Sequence, residues 1–203
     1  MSVAPGFPPE VAARIAAVVG AAHVVTDASE LMVYECDGLS HGRTTPGIVV
    51  LPGSVDEVSE VLRIAREAGI PVVPRGSGTG LSGGARPVPG CILVALSRMR
   101  RVLEIDLENG WVRVEPGVFN LDVTRTVAPD GFYYAPDPSS QSVCSIGGNL
   151  AENSGGAHCL KYGFTVNHVL AARVVLSDGA VADVGGPALD PPGYDLLAAL
   201  VGS

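Results

Sequence analysis

Pro74-Arg75-Gly76-Ser77-Gly78-Thr79-Gly80-Leu81-Ser82-Gly83-Gly84 follows directly on the short apolar segment Ile70-Pro71-Val72-Val73. Glycine tolerates positive φ and lets another group approach the main chain closely. A chain keeps such a run where backbone N–H groups turn inward around an anion, most often a phosphate. A flexible surface linker is the plain alternative, but linkers rarely sit at a strand outlet with an arginine at their mouth. The stretch reads as a phosphate cradle.

The residues before the cradle supply an α/β lobe. Ile48-Val49-Val50-Leu51 is a buried strand, and Ser54-Val55-Asp56-Glu57 has the form of a capping box. Val55, Val58, Val61, Leu62 and Ala65 recur at helical spacing, Gly69 supplies the stop, and Ile70 to Pro74 is the next strand. This is a βαβ unit with parallel strands. Residues 10–20 form an Ala- and Val-rich helix within a lead-in, residues 1–45, packed on the outside of the fold.

Beyond the cradle the pattern changes. Cys91 to Leu96 is a strand, and Val102 to Asp106 pairs with Trp111 to Glu115 across Asn109-Gly110. Asn120 to Ala128 is helical and ends before Pro129. Residues 135–163 are rich in Gly, Ser, Asn and Pro with little periodicity, and a long irregular stretch inside a compact domain is usually functional. Val169 to Leu176 and Ala180 to Val184 form a last hairpin around Asp178-Gly179. The expected fold class is α+β, with a first lobe over about 46–97 and an antiparallel lobe with helices over about 98–203.

Composition excludes several classes. The 203 residues are 47% hydrophobic, so the chain can bury a core. Thirteen Lys and Arg against 21 Asp and Glu, formally −8, argue against nucleic acid as a partner. No apolar run reaches spanning length, and residues 1–9 lack the form of a secretory signal, so a cytoplasmic location is expected. Cys36, Cys91, Cys144 and Cys159 form no C-x-x-C pair, so neither an iron–sulfur cluster nor a metal is expected. Gly78 to Gly83 matches G-x-G-x-x-G and Gly80 to Gly84 matches G-x-S-x-G, but both motifs need a helix next. Arg86-Pro87-Val88-Pro89-Gly90 forbids it. Among the histidines, His23, His41 and His168 read as structural, and His158 is the ligand candidate because it follows Asn153-Ser154-Gly155-Gly156-Ala157.

A second glycine-rich stretch, Ser145-Ile146-Gly147-Gly148 through Asn153-Ser154-Gly155-Gly156, changes the reading. Two cradles separated by a hairpin suit a long ligand with a diphosphate in its middle and a flat ring at one end, the shape of FAD. The chain resembles the FAD-binding domains of the vanillyl-alcohol oxidase / p-cresol methylhydroxylase type. Within them it is most similar to the FAD-linked subunit of glycolate oxidase, with D-lactate and D-2-hydroxyglutarate dehydrogenases nearby. The resemblance rests on Tyr34 to Ser40, Arg75 to Gly84, Tyr134 to Gln141, Cys144 to Gly156 and His158 to Gly163.

That resemblance implies a two-lobed domain with FAD between the lobes. It implies that Arg75, Gly76, Ser77, Gly78, Thr79, Gly80 and Leu81 bind the diphosphate through main-chain N–H groups. Asp137, Ser142, Gly147, Gly148, Asn153, Gly155, Gly156 and His158 would line the flavin and ribityl side, with Tyr162, Gly163 and Val174 toward the adenine end. Family members that tether flavin covalently do so through a histidine where this chain has Thr79, so non-covalent FAD is expected. The family's substrate cap lies beyond a point matching Leu200-Val201-Gly202-Ser203, and no catalytic residue is selected here. The implied activity is hydride transfer from a glycolate- or D-lactate-type 2-hydroxy acid to FAD. Iron–sulfur and flavoprotein-like subunits are the implied partners, and through them attachment to the membrane surface. The isolated chain is expected to be inactive. The alternative is a non-catalytic FAD-binding or assembly module.

Overall fold

The computed structural model describes residues 6–39, 42–186 and 193–202, and divides into two compact units. The first comprises residues up to Arg98 together with Val175–Ala182. Its elements are α1 (Pro9–Val19), β1 (Val24–Val25), α2 (Ala28–Leu31), β2 (Ile48–Val50), α3 (Val55–Ala68), β3 (Val72–Arg75) and β4 (Ile92–Ala95). The sheet order is β1-β2-β4-β3, with β2, β4 and β3 parallel and β1 antiparallel to β2. The strands flanking α3 are therefore parallel, as the βαβ pattern predicts, but β4 lies between them. Sequence order cannot reveal an inserted central strand.

Successive side chains of a strand point to opposite faces. Ile48, Val50, Ile92 and Val94 accordingly pack with Val11, Ile15, Val61 and Ile64 of α1 and α3, while Val49, Leu93 and Val73 pack with Leu31. Helix α1 thus belongs to the core of this unit. Helix α3 starts on Ser54, whose hydroxyl accepts from Glu57 N (3.2 Å), and stops at Gly69 in the left-handed region (φ 65°). The capping box is only half formed, because Glu57 Oε2 accepts from Gly53 N (2.7 Å) instead of the cap residue's own N–H. Edge position explains how β3 holds Pro74: an edge strand has one row of N–H positions that no neighbour needs.

The second unit comprises Met99–Val174 with the residues from Asp183 onward. It contains β5 (Val102–Asp106), β6 (Trp111–Val114), α4 (Asn120–Val127), α5 (Ile146–Glu152), α6 (Cys159–Tyr162), most of the hairpin strands β7 (Ala171–Val175) and β8 (Val181–Gly185), and α7 (Leu196–Leu200). Strands β5 and β6 are antiparallel, and Asp106 accepts from Asn109 N (2.9 Å) at their turn. The stretch 135–163, which carries little periodicity, holds the short helices α5 and α6. Three or four residues of apolar spacing are too few to register as a period, and α5 is instead set by Ser145 at its N-cap and Asn153 at its C-cap.

Leu93 is fully buried on the central strand. Leu93→Ala should lower the unfolding free energy by about 3 kcal/mol in urea titration, since the cavity cannot collapse between two packed layers.

Candidate functional site

The glycine run begins where β3 leaves the sheet. Among the described residues, none of the six backbone N–H groups from Gly76 to Leu81 has a hydrogen-bond acceptor within the protein. Gly76, Gly78, Thr79 and Gly80 are half-buried and Ser77 and Leu81 exposed; donors away from water are ordinarily paired, so the half-buried ones mark a place prepared for an acceptor. Their direction is set from the opposite side. A Cβ on Gly38 would lie 2.7 Å from the Thr79 carbonyl oxygen and 2.8 Å from that of Gly80. In a trans peptide the N–H points opposite to the C=O. With both carbonyls turned to Gly38, the N–H groups of Gly80 and Leu81 point away from that wall. Gly78 adopts φ 72°, and a side chain there would overlap the Arg75 guanidinium.

Arg75 ties the wall to the loop. Its Nη1 donates to the Cys36 carbonyl (2.7 Å) and more weakly to Ala85 (3.4 Å), and its guanidinium lies 5.7 Å from the Tyr34 ring centroid. Burial pulls its pKa below the usual arginine value, and the charge of Asp37 opposes that pull. Tyr34, Asp37 and Gly38 carry the resemblance, and the sequence alone does not mark them as site residues. The Asp-Gly pair was the available signal, since it marks a turn and a close approach.

The second glycine-rich stretch lies in the second unit. Asp137 Oδ2 meets His158 Nδ1 at 2.5 Å, and Asp137 Oδ1 accepts from His158 N at 3.3 Å. Hydrogen bonding from His158 holds the Asp137 carboxyl below the usual carboxylate range. A Cβ on Gly156 would overlap Asp137, and one on Gly155 would stand 2.6 Å from the Phe164 ring, so both glycines permit the turn to close. Asn153 (φ 47°) caps α5 and its Oδ1 accepts from Val166 N (2.9 Å). Gly147 packs on Pro116, and Gly148 N reaches the Ser145 hydroxyl at 3.4 Å. Lys161 Nζ donates to the Tyr162 hydroxyl (3.0 Å); hydrogen bonding from Tyr133, then from Lys161, holds the Tyr162 phenol below its ordinary value. Gly163 (φ 85°) closes α6 against the Asn167 side chain. Half-buried Tyr134 has its phenol pushed up to about 12 by burial, against the opposing hydrogen bond with Thr165.

Asp137, Gly156 and His158 thus form one group, with Tyr162 beside it: its ring centroid is 6.5 Å from that of His158. Ser142 is exposed in the turn before Cys144, and Val174 is half-buried on β7; neither bonds to the Asp137–His158 pair among the described residues. Among the described residues no three His, Cys, Asp or Glu side chains are placed to hold a metal, and no helix is long and apolar enough to cross a membrane.

A family model described as "FAD binding domain" matches residues 46–185. The chain belongs to this FAD-binding domain family. It is 51% identical over 174 residues to the glycolate oxidase subunit GlcD of Escherichia coli (strain K12), covering 86% of this chain and 35% of that protein. The corresponding subunit of Bacillus subtilis (strain 168) is 44% identical over 173 residues, covering 85% and 37%. A D-lactate dehydrogenase of Anaerostipes hadrus is 36% identical, covering 80% and 34%. The chain therefore spans about a third of the length of these relatives. Among solved structures, 4-ethylphenol oxidase from Gulosibacter chungangensis superposes with TM-score 0.74 at 26% identity, covering 97% of this chain and 39% of its own. An alkyldihydroxyacetonephosphate synthase superposes at 0.85 with 20% identity, covering 98% and 39%, and so shares the fold. The cradle's row of unpaired N–H donors, backed by Gly38 and turned by Gly78, fits the diphosphate of FAD.

Gly38→Ala should force the loop away from its wall. A stability loss of about 1–3 kcal/mol is expected in thermal or urea unfolding, with weakened FAD binding; Gly186→Ala, where nothing stands within 4 Å, should change neither. The Asp137–His158 pair gives an acid-side prediction. Since the folded carboxyl titrates below its ordinary 3.8, the pair stabilises the fold above that pH and the contribution is lost as pH falls through the lower folded value. Asp137→Asn should flatten that part of the acid limb in pH-dependent unfolding.

Proposed function

We propose that this chain is the FAD-binding portion of a flavin-dependent 2-hydroxy-acid oxidoreductase of the glycolate oxidase type, with FAD held non-covalently. The observation that carries the reading is the run of six unpaired backbone donors at residues 76–81, in a chain 51% identical to a glycolate oxidase subunit. In this reading Gly76 to Leu81 receive the diphosphate. Asp137, Ser142, Gly147, Gly148, Asn153, Gly155, Gly156 and His158 shape the flavin and ribityl side, with Tyr162, Gly163 and Val174 toward the adenine end. The relatives' names support glycolate or D-lactate as the substrate class.

Bound FAD supplies the hydride acceptor. This chain's residues hold and orient it. Asp137 fixes the His158 ring by Nδ1, leaving Nε2 to face a partner. Thr79 has no ring nitrogen with which to tether a flavin, which supports non-covalent attachment. Oxidation of a 2-hydroxy acid also needs a base for the hydroxyl proton and a cation for the carboxylate. These fall to the part of the relatives that this chain does not span. Iron–sulfur and flavoprotein-like subunits are the proposed partners, in a cytoplasmic assembly that meets the membrane surface only through them.

The test is spectroscopic. Purified protein reconstituted with FAD should show a flavin band, and acid precipitation should release the yellow colour into the supernatant; colour retained on the polypeptide would refute non-covalent attachment. Anaerobic glycolate or D-lactate should bleach the band in a chain extended to the relatives' full length and leave it unchanged in these 203 residues. No flavin band after reconstitution overturns the cofactor reading. A band that never bleaches in the longer chain leaves a binding module without catalysis.

A further inference from the structure

Arg75 stands at the mouth of the diphosphate cradle, where a cation would ordinarily be assigned to the phosphate. Its geometry points elsewhere. Nη1 is committed to the carbonyls of Cys36 and Ala85, one face of the guanidinium lies toward Tyr34, and the fork packs against the α-carbon of Gly78. Asp37 is nearly buried, at 9% exposure. Its Oδ1 accepts from Leu39 N (3.0 Å), while its Oδ2 is enclosed and accepts no hydrogen bond among the described residues. A carboxylate oxygen enclosed without a donor is tolerated only when a cation compensates it nearby. Burial pulls the Arg75 pKa down, and the negative charge of Asp37 opposes that pull by favouring the protonated guanidinium. Among the described residues the two form no direct ion pair, so the Asp37 charge acts on the Arg75 guanidinium through the protein interior.

We infer that Arg75 is a positioning residue that braces the cradle and does not touch the phosphate, its charge balanced internally by Asp37, so that neutral backbone N–H groups alone meet the diphosphate. The brace rests on contacts within the first unit; its electrostatic consequence rests on the FAD reading above. The arrangement suits a chain of net charge −8, because no surface basic patch is needed to hold an anion.

Two measurements test it. In thermal unfolding of the FAD-free chain, Arg75→Gln and Asp37→Asn should each lower the midpoint, and the double variant should be no less stable than the worse single one. Losses that simply add would overturn the pairing. Should Arg75→Gln not fold, Arg75→Lys keeps the charge without the two-carbonyl fork and should fall between wild type and Asp37→Asn. The second measurement follows FAD binding by flavin fluorescence at about 0.05 M and about 0.5 M salt. Arg75→Gln should weaken FAD by the same factor at both. Asp37→Asn, which unmasks a positive charge, should tighten FAD about three- to tenfold at low salt and lose the gain at high salt, with no gain for riboflavin, which lacks the diphosphate. An Arg75→Gln loss that shrinks at high salt would place the guanidinium on the phosphate and overturn the inference. If wild type takes up no FAD, the cofactor reading falls, and the thermal cycle still decides the brace.

Discussion

The close approach of Gly38 to the carbonyls of Thr79 and Gly80 is the constraint on which the cradle depends. A peptide plane has one degree of orientation, and fixing where its oxygen points fixes where its N–H points. By turning two consecutive carbonyls toward a glycine α-carbon, the fold commits the donors on the other side to whatever occupies the loop. Arg75 holds the two segments together, and the parallel strand β3 delivers the loop at the sheet's C-terminal edge, where α/β folds place their ligands.

This design separates anion binding from net charge. In the proposed reading an acidic chain receives a diphosphate because oriented amides act as fixed dipoles that need no counter-charge. Charged side chains are used instead for internal fastening. Asp137 holds His158 in one ring orientation, Glu115 takes both Arg101 N (2.7 Å) and the Arg101 guanidinium, and Glu57 closes the start of α3.

The fold by itself does not choose a substrate. An alkyldihydroxyacetonephosphate synthase and a 4-ethylphenol oxidase share this architecture over nearly the whole chain, and their names point to unrelated substrates. What they share with this protein is the part spanned here, about two fifths of each of those chains. The fold is the common element, and it leaves the substrate undetermined. The identity to glycolate oxidase subunits, far above that to the solved structures, narrows the proposal.

Much of this was legible in residue order. The glycine run was placed at the outlet of an apolar strand, where β3 delivers it, the prolines at 87 and 89 removed two competing motifs, and helix α3 followed from its spacing, its Ser54 cap and its Gly69 stop. Local signals suffice there because each depends on neighbours within a turn or two. The tertiary structure alone placed β4 between β2 and β3, set Gly38 against a loop 41 residues further on, and turned Arg75 inward to Cys36 and Ala85. It alone paired Asp137 with His158 across 21 residues. Those outcomes are contacts between segments distant in the chain, decided by which surfaces pack and which buried charges must be balanced, and no local pattern of residues encodes them.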